Sequence, residues 1–198
     1  MIILKNLSKE TPYEVFKSAY EKSLKAKQKN IQALCISSYC EDKNEVNSRY
    51  VNLKIINGKE FIFFTNYQSP KSIEFTMHNQ ISAALYWDSI NTQIRMKAYI
   101  KKTNHIFNQN YFSKRNLKKN ALSISSNQSK SIDSYESILE NYKKSLSSDI
   151  LNKCPAYWGG YSFMPYYFEF WEGHESRLNK RVVFYKIDGL WKQSFLQP

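Results

Sequence analysis

The sequence predicts a mainly β protein of the α+β class: a small antiparallel β-barrel with helices inserted between its strands. Three observations predict it. Five or more short stretches have strand character, and the one at Gln93–Lys101 alternates apolar and charged residues. The dipeptides Asn57-Gly58 and Asp188-Gly189 each separate two such stretches, and close turns favour antiparallel pairing. Amphipathic helical patterns fall between the strands.

In chain order, Thr11-Pro12-Tyr13-Glu14 reads as a helix start, with Thr11 as N-cap, Pro12 at the first helical position and Glu14 completing a capping box. Phe16, Ala19, Tyr20 and Leu24 follow at helical spacing as far as Lys27. Ile31 to Ser38 reads as a strand. Tyr50 to Ile56 and Glu60 to Thr65 form a hairpin about Asn57-Gly58, because Asn-Gly tolerates the positive φ angles of a two-residue turn. Ser69-Pro70-Lys71 starts a helix that runs to about His78. Strands are expected at Ile81–Trp87 and Gln93–Lys101, the latter burying Ile94, Met96, Ala98 and Ile100. Short helices fit Asn104–Ser113 and Asn116–Leu122. The serine-rich stretch Ser123–Ser137 is a surface loop leading into a helix from Ser134 to Leu146. The last strands are expected at Tyr166–Trp171, Arg181–Lys186 and Leu190–Phe195, with Asp188-Gly189 between the final two. No repeat and no long linker divides the chain. Residues 1–146 form the main unit, and 147–198 complete the same barrel.

The 198 residues suffice for one domain with a real core, and 42% hydrophobic content with 16% aromatics is that of a folded protein. The formal charge of +12 asks for an anionic partner or a lysine-rich solvated surface. No zinc-finger or RNA-recognition signature is present, which ranks nucleic acid low. Cys35, Cys40 and Cys154 have no metal-ligand spacing and read as reduced thiols. No stretch has the length of a membrane span, and the start MIILKNLSKE is too short in apolar residues for a signal segment. The expectation is a soluble cytoplasmic protein with no metal site. His78, His105 and His174 show no HExxH spacing, and neither a P-loop nor a GxGxxG fingerprint occurs.

Chemistry concentrates in a few places. Trp158 to Arg181 is dense in aromatics, interrupted by Gly-Gly and Glu-Gly and closed by a basic cluster. It suits a flat ligand with an anionic tail, or alternatively a hairpin with an aromatic core face. Trp158-Gly159-Gly160 is expected to turn the backbone closely beneath the barrel. Arg49 and Lys54 stand five apart, an odd offset that puts them on opposite faces of one strand unless a bulge intervenes. They would serve different anions, or be two edge charges on a wet strand. Thr65 to Lys71 joins a strand to a helix N-terminus, a natural phosphate seat to which Lys71 adds a charge. Arg177, Asn179 and Arg181 share one face if that segment is extended. Two guanidiniums there need an anion, or a carboxylate such as Glu169 or Glu172, between them.

From about Ser48 to Pro198 the chain resembles the pyridoxamine (pyridoxine) 5′-phosphate oxidase family. The resemblance rests on SRYVNLK at 48–54, FFTNYQSPK at 63–71, YFSKR at 111–115, NQS at 127–129, PAYWGGY at 155–161, FEFWEG at 168–173, RLNKR at 177–181 and the closing LQP. It implies a homodimeric split β-barrel holding FMN in clefts at the dimer interface. It also implies transfer of a hydride from a phosphorylated B6 substrate to the flavin, with O2 as final acceptor. Carried over by position, Arg49, Phe64, Thr65, Lys71, Gln93, Gln128, Ser129, Trp171 and Arg181 match flavin contacts. Lys54, Tyr111, Arg115, Lys119 and Arg177 match substrate contacts, and Arg177 and Asn179 match the catalytic positions.

Three positions depart from the family pattern. Pro70 stands where an arginine is usual, and Lys119 where a small serine is usual. Asn179 replaces a histidine and cannot titrate near neutral pH. The resemblance therefore also admits a related flavin oxidase of the phenazine-biosynthesis type, or a non-catalytic protein that binds FMN or pyridoxal phosphate.

Overall fold

The computed structural model describes residues 1–198. Ten strands form one sheet: β1 (Ile3–Lys5), β2 (Ala33–Cys40), β3 (Glu45–Asn52), β4 (Ile55–Asn57), β5 (Glu60–Asn66), β6 (Gln80–Trp87), β7 (Thr92–Lys102), β8 (Trp158–Glu172), β9 (Lys180–Ile187) and β10 (Leu190–Leu196). Their order is β1-β4-β5-β8-β7-β6-β2-β3, with the β9–β10 hairpin attached to β8. No pairing joins β1 to β3, so the sheet is not closed. All pairs are antiparallel except β1 with β4, a parallel contact that the tight-turn pattern does not reveal.

The fifteen-residue strand β8 is the spine, far longer than the expected Tyr166–Trp171. It pairs with β7 along its length, with β5 through Trp158–Phe163 and with β9 through Tyr167–Glu172. The register against β7 shifts between Lys97 and Ala98, where Tyr166 is the extra residue and the adjacent Pro165 has no N–H to offer. A bulge bends a strand and increases its twist, so β8 serves two neighbours in succession on the same side. Gly159 and Gly160 lie within this strand rather than at a turn. A Cβ on Gly159 would stand 2.2 Å from the Tyr67 hydroxyl, so the glycine permits a close approach instead.

The core gathers the inward faces of the strands beneath α1 (Thr11–Lys25). Phe16 of this helix meets Phe61 and Trp87 edge-on, with centroids 5.2 and 5.7 Å away. The alternation predicted for β7 holds: Ile94, Met96, Ala98 and Ile100 are buried while Arg95, Lys97, Tyr99 and Lys101 face outward. The N-cap of α1 is Glu10 rather than Thr11, and no side chain caps it. Four further helices follow: α2 (Pro70–Met77), α3 (His105–Ser113), α4 (Leu117–Ser125) and α5 (Tyr135–Leu146). Asn104, Asn116 and Ser134 cap the last three by accepting from Phe107 N, Lys118 N and Ser137 N.

Two hairpins differ in detail. Asp188 and Gly189 form the expected two-residue turn, both at positive φ. In the other, Asn57 pairs with Glu60, so the loop is Gly58–Lys59, one residue later than the dipeptide implied. The expected strand Tyr50–Ile56 is broken at Leu53–Lys54: β3 pairs with β2, whereas β4 leaves to pair with β5 and β1. Leu53 is completely buried at this break, which anchors the change of direction.

Candidate functional site

β3, β5, α2, α3 and the segment after α4 enclose a cleft of ≈ 730 Å³. It is lined by Arg49, Lys54, Phe64, Thr65, Lys71, Tyr111, Arg115, Gln128 and Ser129, along with Glu74 and Tyr50. Arg49 and Lys54 thus share one cleft despite their odd spacing, because the strand break at Leu53–Lys54 cancels the alternation on which opposite faces depended.

One end of the cleft is built on α2. Ser69 is its N-cap residue by backbone position, and Pro70 opens the helix without needing an N–H there. Lys71, only 6% exposed, donates from Nζ to Ser69 Oγ at 2.9 Å. Burial, then the neighbouring Arg49, pulls its ammonium down to about 8, against a smaller opposing effect of Glu74. Arg49 donates to Glu74 Oε2 at 2.9 Å, and the buried Glu74 also accepts from Asn47 Nδ2 and the Ser38 hydroxyl. Arg49 is therefore neutralised and held, while Lys71 has only a hydroxyl for a partner.

The other end gathers Lys54, Arg115 and Lys119. Lys54 Nζ donates to Gln32 Oε1 at 2.6 Å, and burial followed by Lys119 and Arg115 lowers its pKa. Arg115 donates to Ser123 Oγ at 2.7 Å, and its guanidinium carbon lies 5.0 Å from the Trp158 ring centroid. Burial is the main cause that lowers Arg115, and it raises the Tyr111 hydroxyl. Lys119 is exposed on the first turn of α4, and Ser123, which holds Arg115, also donates to the Lys119 carbonyl. No carboxylate pairs with Lys54, Lys71, Arg115 or Lys119.

Between the two ends runs an aromatic wall. Phe64 stacks on Tyr111 with centroids 3.7 Å apart and on Trp158 at 5.2 Å, the planes within 10° and 8°. Gln128 ties the segment after α4 to β5 by accepting from Thr65 Oγ1 and Asn66 N at 3.2 and 3.3 Å. Unpaired cations at both ends of a flat apolar wall suit ligands that combine planar rings with anionic groups.

The remaining sequence-predicted residues stand apart from this cleft. Gln93, Trp171 and Arg181 are direct cross-strand partners on β7, β8 and β9 and form a row on the outer face of the sheet. Arg181 is paired with Glu169, but the carboxylate is shared with Arg95 rather than with Arg177. Arg177 and Asn179 lie in the turn before β9, not in an extended segment. Arg177 is exposed with φ +59, and Asn179 Oδ1 accepts from His174 N at 3.0 Å. The expected shared face of Arg177, Asn179 and Arg181 is thus not formed, because strand alternation begins only at Lys180. Sequence reasoning missed Gln32 and Glu74. Gln32 carried no signal. Glu74 lies three residues after Lys71, so helical spacing put it near the site, but its pairing with Arg49 is long-range.

A family model described as the pyridoxine 5′-phosphate oxidase C-terminal dimerisation region matches residues 158–198. Pyridoxine/pyridoxamine 5′-phosphate oxidase 1 of Hydrogenovibrio crunogenus is 30% identical over 191 residues, covering 94% of this chain and 88% of that protein. The pyridoxine/pyridoxamine 5′-phosphate oxidase of Vesicomyosocius okutanii is 31% identical over 190 residues, with 95% and 89% covered. In fold, the chain is similar to PhzG from Burkholderia lata, solved with tetrahydrophenazine-1-carboxylic acid: TM-score 0.89, 24% identity, 94% and 92% covered. It is also similar to a pyridoxamine 5′-phosphate oxidase-related FMN-binding protein from Nostoc punctiforme: TM-score 0.81, 11% identity, 97% and 100% covered.

Proposed function

The chain belongs to the pyridoxine/pyridoxamine 5′-phosphate oxidase family, and from that premise we propose that this oxidoreductase is an FMN-dependent oxidase of pyridoxine or pyridoxamine 5′-phosphate. The observation that carries the reading is the cleft with unpaired cations at both ends of an aromatic wall.

The donor set fits FMN. A buried ammonium whose only partner is a hydroxyl gains a compensating charge when a phosphate sits beside it, and Lys71 is such a group. Arg49, its charge matched by Glu74, adds oriented guanidinium N–H groups, and Thr65, Gln128 and Ser129 supply neutral polar groups. Phe64 offers an apolar surface. When bound, FMN would supply the hydride acceptor, with O2 as the terminal oxidant.

At the other end, Lys54, Arg115 and Lys119 would hold the substrate phosphate together with the Tyr111 hydroxyl. Three cations without carboxylates accommodate a dianion, whose charge lowers their mutual repulsion. Gln93, Trp171 and Arg181 are the family-matched flavin contacts that this chain does not bring to its own cleft. We assign them to the cleft of a second copy, so that each site is completed across a homodimer. Arg177 and Asn179, in the exposed turn before β9, would reach the substrate of that same second cleft. Asn179 can hold a hydrogen bond there but cannot carry a proton at neutral pH.

A second reading keeps the flavin and changes the substrate to another ring system with an anionic group. It is favoured by Asn179, whose side-chain oxygen is engaged by His174 N, and by Lys119, a mobile point charge in the substrate half.

The deciding experiment is the visible spectrum of flavin-loaded protein mixed anaerobically with each B6 phosphate. Bleaching of the flavin bands, their return in air and release of peroxide are expected. Fully loaded flavin that neither B6 phosphate reduces would overturn the B6 reading and leave the second one.

A further inference from the structure

We propose that Glu169 is a positioning residue for the flavin site, acting through Arg181. It rests on the reading above, in which Arg181 reaches FMN in a partner's cleft. Glu169 projects from the outer face of β8 yet is only 2% exposed, because its neighbours close over it. Its carboxylate accepts from four donors on three strands. Oε1 takes Arg181 Nε at 3.0 Å and Nη2 at 2.8 Å, and Oε2 takes Arg95 Nη1 at 2.9 Å and the Tyr167 hydroxyl at 3.0 Å.

The consequence for Arg181 follows from its donors. A guanidinium has five N–H groups in a fixed plane. Glu169 takes two on one edge, and the backbone carbonyl of Gln197 takes one from Nη1 at 2.9 Å. Two donors remain, one on each terminal nitrogen, and their direction is set by the three that are used. Cross-strand register places Arg181 beside Trp171 and Gln93, with Arg95 and Glu169 in the next row. Two arginines against one carboxylate leave a net positive charge on this patch, so the clamp orients Arg181 without cancelling its attraction for an anion. The C-terminal Gln197 completes the clamp from the end of β10.

The mechanism predicts coupling, which a purely structural role does not. FMN affinity is measured by quenching of flavin fluorescence for wild type, Glu169→Gln, Arg181→Ala and the double variant. Glutamine is isosteric and keeps a hydrogen-bonding oxygen, which favours folding, and circular dichroism with thermal melts of each variant checks it. Loss of one charge-assisted clamp is expected to weaken FMN by about tenfold in Glu169→Gln. In the Arg181→Ala background the same change should have no further effect. Deletion of Gln197 and Pro198 should weaken FMN in the same non-additive manner, and it serves as the test should Glu169→Gln not fold. Additive losses, or wild-type affinity in Glu169→Gln while Arg181→Ala is weakened, overturn the clamp alone. Wild-type affinity in Arg181→Ala overturns both the clamp and the assignment of Arg181 to the flavin.

Discussion

Replacing Lys71 by methionine should stabilise the flavin-free protein while weakening its hold on FMN. The ammonium is almost wholly buried, has no carboxylate contact and faces Arg49. Its pKa falls from 10.5 to about 8. At about 1.4 kcal/mol per tenfold change in a protonation equilibrium, that fall corresponds to about 3 kcal/mol of cost in keeping the charge buried at neutral pH. Methionine fills similar space without the charge, and Ser69 Oγ keeps its bonds to Asn66 O and Ser72, so no new orphan is made. For a chain of this size the gain amounts to a rise of roughly 6–12 °C in Tm.

The pH dependence has a definite sign. Below pH 8 the lysine is charged in both folded and unfolded states and the full cost is present. Between about 8 and 10.5 the unfolded chain binds more protons, so stability rises with pH, and above that window the cost is gone. Thermal melts of flavin-free wild type and Lys71→Met from pH 6.5 to 10.5, at fixed protein concentration, measure both effects. The two curves should converge as pH rises. A Lys71→Met protein that is no more stable than wild type at pH 7, with parallel pH curves, would refute the reasoning. With FMN present the order reverses, since the phosphate that repays the buried charge loses its partner.

Arg115→Met should raise KM for a phosphorylated substrate by at least about tenfold while leaving FMN affinity unchanged, because its contacts are at the opposite end of the cleft from Lys71. Steady-state kinetics beside a flavin titration separate the two, and an equal loss in both would contradict the division of the cleft. Gly159→Ala sets a methyl group 2.2 Å from the Tyr67 hydroxyl and 2.4 Å from Asn108 Nδ2, and should cost about 1–3 kcal/mol as a lower denaturant midpoint. An unchanged midpoint would show that Tyr67 and Asn108 can retreat without loss. Asn179→His restores a titratable group in the turn before β9 and should introduce an inflection near pH 6–7 in kcat/KM for a B6 phosphate, with a gain of about tenfold or more. A flat profile with unaltered turnover would remove position 179 from proton handling.

Local chemistry determined much of this protein. Alternation in β7, the spacing in α1, the Asp188-Gly189 turn and the caps at Asn104, Asn116 and Ser134 all depend on residues within one or two turns of each other. Such features are written in sequence because neighbouring φ/ψ choices and nearby hydrogen bonds set them. The basic and aromatic residues of the candidate site were legible too, since their types and order carry the family resemblance. What only the tertiary structure decided is how they are grouped. The break at Leu53–Lys54 puts Arg49 and Lys54 in one cleft, against the face rule, because β4 finds its partners in β1 and β5 rather than continuing β3. Glu74 and Glu169 decide which arginines are held by a carboxylate and which cations have none, through contacts 25 and 12 residues apart in sequence. The bulge at Tyr166 lets β8 hand over from β5 to β9, and so separates the cleft from the Gln93–Trp171–Arg181 row. Pairing partners across a sheet are set by the closing of long loops and the burial of a shared core, and neither has a local signature.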